Sequence, residues 1–389
     1  MNEDAVKALN EEEKHRKSHP YWVWESVQMI PDLLGQCLDK KVTDQINKVV
    51  KVCIDKKINK IYLLGRGSSY FLTLANRYLF EELTGIPTIC GVMNVFESYP
   101  PLSEEPHSVA FIHSHSGKSE GDPAIVEMIK KLGIYTVGIT DIPGSDLAKA
   151  VDDCIIGPGG SKVELPATRT YATAMFRMMQ FAVAYSEALG NKTDAKKYRS
   201  SLSRLPEQVK RFMSSYEPIA GLNVEKIKNC KSFLFIGFGP NLATADEGAM
   251  AFSQSACVPS QSFELENFIH GPMQALTKEM GVISIAPLGH LQDRMLRMTK
   301  AAKIIGATTI LLAPQSATNL PDADVLISMP DDIPDLISPV AYMVPLWQTG
   351  YYFALLGRGG HPDRLSMDIP EFKEAFSYLM KKDKWVSKK

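Results

Sequence analysis

The chain of 389 residues has little excess charge: 43 Lys and Arg against 44 Asp and Glu leave a formal net charge of -1. No global field therefore draws it to nucleic acid or to an acidic membrane surface. It also lacks a basic cluster interleaved with aromatics, which argues against a nucleic-acid groove. No apolar run reaches the ~18 residues that a membrane span requires. The start, MNEDAVKALNEEEKHRK, is charged and has no apolar core, so it does not read as a signal peptide, and a cytoplasmic location is the expectation. The six cysteines (Cys37, Cys53, Cys90, Cys154, Cys230 and Cys257) include no CxxC pair. Scattered in this way they read as reduced core thiols, not as a disulfide framework or a zinc site.

What is present is ordinary in bulk and patterned in detail. The chain is 45% hydrophobic and 22% charged, a composition able to bury a sizeable core, and its length suggests two domains. Residues 1–19 read as a charged helix or arm, and 42–58 show helical spacing, with Val42, Ile46, Val49, Val50 and Cys53 on one face. A strand at 61–64 runs into the Gly/Ser turn Gly65–Ser69 and then a helix over 70–83. Strands follow at 88–92, 109–113 and 136–140, with a helix near 123–132 between the last two. Strands alternating with helices imply a parallel sheet covered on both faces. A long helix is expected from Thr168 to about 189, then a polar, helical linker over 192–217.

The second half repeats this order. Strands are expected at 232–236, 282–286, 308–312 and 325–328, and Gly237-Phe238-Gly239 matches Gly65-Arg66-Gly67 in place and sequel. The expected fold is α/β: two tandem, doubly wound, flavodoxin-like domains with parallel sheets flanked by helices. The expected boundaries are a helical arm at 1–42, a first domain at 43–200, a second at 201–366 and a tail at 367–389.

Two turns carry the chemistry. Ser114-His115-Ser116-Gly117-Lys118-Ser119 lies between a strand and a helix, where backbone N–H groups and small hydroxyls can hold a phosphate. Its bland alternative is a capping turn. It is not a P-loop, because Ile112 stands where the upstream Gly is needed. Gly67, Ser68 and Ser69 offer a second set of groups from a neighbouring strand end. Thr168 and Arg169 either line the same site or form a plain helix N-terminus. The Gly-x-Gly turns lack the remainder of a dinucleotide fingerprint. His113 and His115 have no carboxylates in ligand spacing, so no metal is expected there. In the second half, Glu264, Glu266 and His270 fall within seven residues, a kit for proton transfer near neutral pH.

The motifs LLGRGSSY, IHSHSGKS, LPATRTYATAM, ADEGAMAF, ELENFIHGP and SPVAYMVPLWQTGYYFALLGRGGHPDR are similar, in order and spacing, to those of double sugar-isomerase (SIS) domain proteins. The isomerase half of glucosamine-6-phosphate synthase and the fructosamine 6-phosphate deglycases are of this kind. The resemblance covers about residues 20–367. It implies a sugar phosphate held by Ser69, Ser114, His115, Ser116 and Ser119. It assigns His270 to ring opening or general acid catalysis, reaching into the site of a second subunit, and so implies a homodimer. It implies proton-transfer chemistry with no metal or organic cofactor.

The chain departs from the pattern at several places. Gln254 stands where relatives carry the general-base glutamate, and an amide cannot take a proton at neutral pH. Ala251 and Met367 stand where the synthase carries lysines. One extra residue separates Glu266 from His270, leaving Glu264 or Glu266 as the expected bases. The chain begins Met1-Asn2 with no glutaminase nucleophile, so synthesis from glutamine is not the expected reaction. The expected activity is cleavage of a ketosamine 6-phosphate to a hexose 6-phosphate and a free amine. An aldose–ketose isomerase or an amino-sugar-phosphate deaminase uses the same pocket. A non-catalytic phosphosugar sensor is the alternative that Gln254 favours.

Overall fold

The structure is a computed structural model that describes residues 16, 18–119, 121–160, 164, 166–358, 360–363 and 369–379. Met367 and most of the charged arm at 1–19 lie outside the described residues.

The first sheet is built from β1 (Lys60–Gly65), β2 (Thr88–Val92), β3 (Ser108–His113), β4 (Tyr135–Thr140) and β5 (Asp153–Ile156). Every pairing is parallel, and the order is β2-β1-β3-β4-β5. The central strands are buried on both faces: all six residues of β3 are buried, which is why SVAFIH reads as a continuous run rather than an alternating one. Between the first four strands lie three helices: α4 (Ser68–Thr84), α5 (Met93–Ser98) and α6 (Asp122–Lys131). Before the sheet stand α1 (Trp22–Gln28), α2 (Ile30–Gln36) and α3 (Lys40–Asp55), and α7 (Asp146–Ala150) precedes β5.

The second sheet repeats the topology with β6 (Ser232–Gly237), β7 (Ser260–Glu264), β8 (Met280–Ile285), β9 (Thr308–Pro314) and β10 (Val325–Met329), ordered β10-β9-β8-β6-β7 and again all parallel. In each sheet the winding reverses between the first and third strands, at β1/β3 and at β6/β8. In a doubly wound sheet, that reversal opens a crevice at the carboxyl ends of the strands.

The two halves share one core. A single cluster of buried side chains runs from Phe80, Phe111 and Phe181 through Met175 to Phe233, Phe252 and Phe353. At its centre lies α8 (Arg169–Ala188), buried along almost its whole length. Against it packs α4, and α10 (Leu242–Ala256) of the second half packs on α4 in turn. On its sheet side α10 lies close to β6: a Cβ on Gly248 would fall 2.8 Å from the Phe235 ring. The expected polar linker is one helix, α9 (Lys192–Ile227), which carries 36 residues through Pro206 and Pro218. At 1.5 Å per residue it spans about 54 Å. It packs on both α8 and α13 (Pro339–Tyr352), so it is part of the body, not a spacer.

The N-terminal segment also bridges the halves. Trp22 and Val23 donate their backbone N–H groups to Asp363, at 2.9 and 2.8 Å, and Trp24 Nε1 donates to Glu217 at 2.6 Å. Elements not legible in the sequence include α5, α7, β5 and α12 (Gln292–Ile305). The acidic stretch after β7 that carries Glu264, Glu266 and His270 contains a short helix, α11 (Leu265–Ile269).

Candidate active site

The crevice at the β1/β3 reversal is a pocket lined by Ser68, Ser69, His113, Ser114, His115 and Asp141, with Thr170, Tyr171 and Arg177 from α8. The turn after β1 brings Ser68 and Ser69 to it because Gly67 takes φ +53, and α4 begins at once behind that bend. The loop after β3 supplies Ser114 and His115. Gly117 makes its bend at φ +58, where a Cβ would lie 2.1 Å from Ser145 Oγ, so no other residue fits. The Ser114 and Ser119 hydroxyls are 3.3 Å apart. Ser116 is exposed at the loop tip, where its hydroxyl accepts from Lys118 N at 3.3 Å. A loop of this kind, opening α6, suits an anion.

Beneath the loop lies a buried charge pair. Arg177 and Asp141 are both fully buried, with Arg177 Nη2 3.0 Å from Asp141 Oδ1. Asp141 Oδ2 faces His115 Nδ1 at 2.9 Å. Burial alone would push the Asp141 carboxyl up, but Arg177 and His115 outweigh it and hold the group below the usual carboxylate range. His113 accepts no such help: burial pulls it down to about 4, so it is neutral. It is held by a contact of Nδ1 with Leu64 O, at 3.1 Å, and its Nε2 has no hydrogen-bond partner.

The second half contributes Glu247 of α10. This side chain is completely buried and lies behind Ser68, whose Oγ donates to Glu247 Oε1 at 3.1 Å. Its Oε2 has no hydrogen-bond partner. Burial, with only Ser68 opposing it, pushes the Glu247 carboxyl well above the usual carboxylate range. The Tyr171 hydroxyl, also buried and without a hydrogen-bond partner, is raised by burial and by the proximity of Glu247. Sequence reasoning quoted the ADEGAMAF motif but assigned Glu247 no role. The signal available was a carboxylate embedded in a helix of small apolar residues.

The remaining expected residues fall elsewhere. Thr168 and Arg169 fasten the segment that leads into α8: Thr168 Oγ1 donates to Glu164 at 3.2 Å and Arg169 pairs with Glu164 at 2.6 Å. Arg169 Nε also donates to Gly159 O, and Nη1 to Ser26 Oγ. Their neighbours Ala167 and Thr170 line the pocket instead. Gln254 sits near the end of α10 with its Oε1 buried and without a hydrogen-bond partner. Glu264 is the N-cap of α11, accepting from Asn267 N at 3.0 Å. Glu266 is bound by Arg294 through two contacts, at 2.7 and 3.0 Å, and Arg294 holds its carboxyl below the usual range. His270 is exposed, 3.7 Å from Glu266. Within one chain, none of Gln254, Glu264, Glu266 and His270 lines the pocket. Among the described residues, no group of three or more His, Cys, Asp and Glu side chains could hold a metal ion, and no helix is long and apolar enough to cross a membrane.

Comparison with known proteins identifies the fold unit that carries this pocket: residues 56–184 match the SIS domain family, so the first unit is an SIS domain, and the second repeats its topology. The chain is 27% identical over 309 residues, 79% of its length, to the glutamine–fructose-6-phosphate aminotransferase [isomerizing] of Pyrococcus horikoshii. It covers 50% of that relative and so spans about half the length of the curated relatives it matches first. Among solved structures, the C-terminal domain of glucosamine-fructose-6-phosphate aminotransferase from Francisella tularensis superposes with a TM-score of 0.80 at 16% identity, covering 90% of this chain and 99% of that one. Glucosamine-6-phosphate deaminase from Thermotoga maritima gives 0.64 at 24% identity, covering 83% and 95%. Residues 56–184 therefore carry an SIS domain, and the chain as a whole shares the fold of these solved structures.

Proposed function

We propose that the protein is an enzyme that binds an open-chain sugar phosphate at the β1/β3 crevice and moves protons about its carbonyl end. The observation that carries this reading is Glu247: a buried carboxyl with a raised pKa, one hydrogen bond behind Ser68, which lines the same pocket as the Ser114–His115 loop. Catalytic acids are tuned by burial in this way.

The hydroxyls of Ser69, Ser114 and Ser119, His115 and the loop N–H groups grip the phosphate and fix the sugar. Glu247 is then a protonated carboxyl. For its proton to reach the carbonyl oxygen, the Ser68 hydroxyl turns from donating to Glu247 Oε1 to accepting from the carboxyl and donating to the substrate as the carbon-bound proton leaves, which stabilises the enediol or enaminol. We assign removal of that carbon-bound proton to the 264–270 segment of a second copy of the chain. The exposure of His270 leaves it free of contacts that would hold it in its own chain's pocket, which supports this assignment. For a ketosamine 6-phosphate the sequence is complete with water: loss of the C1 proton gives the enaminol, reprotonation at C2 gives an imine at C1, and hydrolysis releases the amine and an aldose 6-phosphate. Deglycation is the preferred reaction. The names of the P. horikoshii and T. maritima relatives support isomerisation or deamination of a hexosamine phosphate in the same pocket.

The test is release of amine and hexose 6-phosphate from a panel of ketosamine 6-phosphates, with fructose 6-phosphate and glucosamine 6-phosphate included. Turnover of a ketosamine identifies a deglycase. Turnover of fructose 6-phosphate alone identifies an isomerase, and of glucosamine 6-phosphate alone a deaminase. Phosphosugar binding without turnover of any of them identifies a sensor and overturns the enzymatic reading. Mixing the Glu247→Gln and His270→Ala variants, each inactive, checks the shared site: activity returns in mixed dimers, and its failure to return removes the second-copy assignment.

A further inference from the structure

Most of the buried polar side chains in the pocket are already committed. Thr170 Oγ1 donates to Glu164 at 2.6 Å, and Ser68 Oγ to Glu247. Arg177 gives Nε to Thr173 O at 3.1 Å, Nη1 to Thr140 O and Ile155 O at 3.0 and 2.9 Å, and Nη2 to Asp141 at 3.0 Å, so its fork cannot turn. His113 sets Nδ1 against Leu64 O, a carbonyl that only accepts. The hydrogen is therefore on Nδ1, and the neutral ring offers Nε2 as an acceptor alone. The buried side-chain donor not committed in this way is Tyr171, in the first turn of α8. It lines the pocket and is 2% exposed, and its hydroxyl has no hydrogen-bond partner among the described residues. The Trp347 ring of α13 stands edge-on to it, with centroids 5.9 Å apart at 86°, so packing and not a hydrogen bond fixes the phenol. A buried tyrosine hydroxyl ordinarily finds a partner, and leaving it unpaired costs stability that a phenylalanine would not lose. Burial raises this hydroxyl well above its ordinary pKa and Glu247 adds to the effect, so it stays a neutral donor on the side of the pocket nearest that carboxyl.

We propose that Tyr171 is a further catalytic residue: its hydroxyl donates to the same carbonyl oxygen of the sugar that Ser68 reaches, and the two hydroxyls form an oxyanion hole. This rests on the enzymatic reading of the crevice. In that reading the Ser114–Ser119 loop takes the phosphate end of an open-chain sugar, and the contact between Ser68 and Glu247 marks the carbonyl end. As the carbon-bound proton leaves, negative charge gathers on the carbonyl oxygen. A donor already fixed by packing in a buried cavity stabilises that charge without having to reorganise. Tyr171 keeps its own proton throughout, and the proton that reaches the oxygen is that of Glu247, relayed by Ser68. His113 Nε2 presents a lone pair and Arg177 is tied to three carbonyls and a carboxylate, so neither takes this role. The hydroxyl of Tyr171 is unpaired before the sugar arrives because its partner is an atom of the sugar.

The experiment is calorimetric binding of two probes to the full chain, as wild type and as Tyr171→Phe. Glucitol 6-phosphate has no carbonyl and carries only hydroxyls besides its phosphate. Arabinonate 5-phosphate ends in a carboxylate that imitates the oxygens of the enediolate. The wild type is expected to bind the arabinonate at least about tenfold more tightly than the glucitol. Tyr171→Phe is expected to lose about tenfold or more on the arabinonate, as for a hydrogen bond to a charged group, while its Kd for glucitol 6-phosphate stays within about threefold. The melting temperature of the variant is expected to be unchanged or about 1–3 °C higher, because it buries no unpaired hydroxyl. A variant that keeps the wild-type preference for the carboxylate, or a wild type without that preference, overturns the proposal and leaves the phosphosugar site standing. A clearly lower melting temperature, or a variant that fails to fold, makes the hydroxyl structural and overturns it equally. A wild type that binds neither probe overturns the phosphosugar reading as well.

Discussion

The two crevices of this molecule have the same winding and opposite contents. At β1/β3 the turns offer Ser68, Ser69, Ser114 and His115 to a pocket. At β6/β8 the corresponding turns are Gly237-Phe238-Gly239-Pro240 and Ala286-Pro287-Leu288-Gly289, without a hydroxyl. That crevice is closed by the chain itself. Asn241 Nδ2 donates to Ser338 Oγ at 2.7 Å, and a Cβ on Gly289 would lie 3.3 Å from Asp335 Oδ2. Gly65 and Gly237 stand at equivalent strand ends, each with backbone four residues on too close for a Cβ. Aligning them sets Pro240 against Ser68 and Ala75 against Glu247. On the proposed reading, one half keeps the anion grip and the other supplies the acid. Topology creates the crevice, and side chains decide whether it is a site.

The largest effect expected on this contrast comes from Arg177→Met. It leaves Asp141 buried and uncompensated beneath the first crevice, and denaturant unfolding should show a loss of roughly 3–5 kcal/mol. Next, Glu247→Gln should lower turnover at least about 100-fold while sugar-phosphate affinity, measured by calorimetry, stays within a few-fold. Equal losses in binding and turnover would make Glu247 structural.

Asp335 tests the closed crevice. Burial raises its pKa to about 6, against the pull of His290 and Asn241, and above the ~3.9 of an unfolded chain. The folded state thus holds that proton more tightly, and the associated stability is present below about pH 4 and lost as pH rises through about 6. Asp335→Asn should therefore stabilise the protein above pH 7 by about 2–3 kcal/mol, do nothing at pH 4, and leave phosphate affinity unchanged. A fall in phosphate affinity would show that the second crevice communicates with the first. Ser114→Ala should weaken sugar-phosphate binding roughly tenfold with no change in melting temperature, as for one hydrogen bond to a charged group. The smallest effect is that of Glu266→Ala: its pair with Arg294 is half exposed, and turnover should stay within about threefold. A larger loss would restore Glu266 as a base.

The strands were legible because parallel β-structure buried on both faces leaves continuous apolar runs, as in Val109–His113. The loop Ser114–Ser119 was legible because hydroxyls and a glycine stand at a strand end. β5 was not: DCII is short, and only its Ile155 is fully buried. The partners of the site were not legible either. Glu247 lies 179 positions from Ser68 along the chain, and Arg177 lies 36 from Asp141; both contacts exist only through packing of the helices. Glu264 and Glu266 looked like bases because their spacing says nothing about Arg294, which claims one of them from another helix.

The contact between Ser68 and Glu247 also bears on how such a chain can change. If the halves arose by duplication, each has since given up what the other retained, and neither now holds a complete set of working parts. A change at the rim of the first crevice must be accommodated by a helix encoded far downstream. The two halves are bound to evolve as one gene.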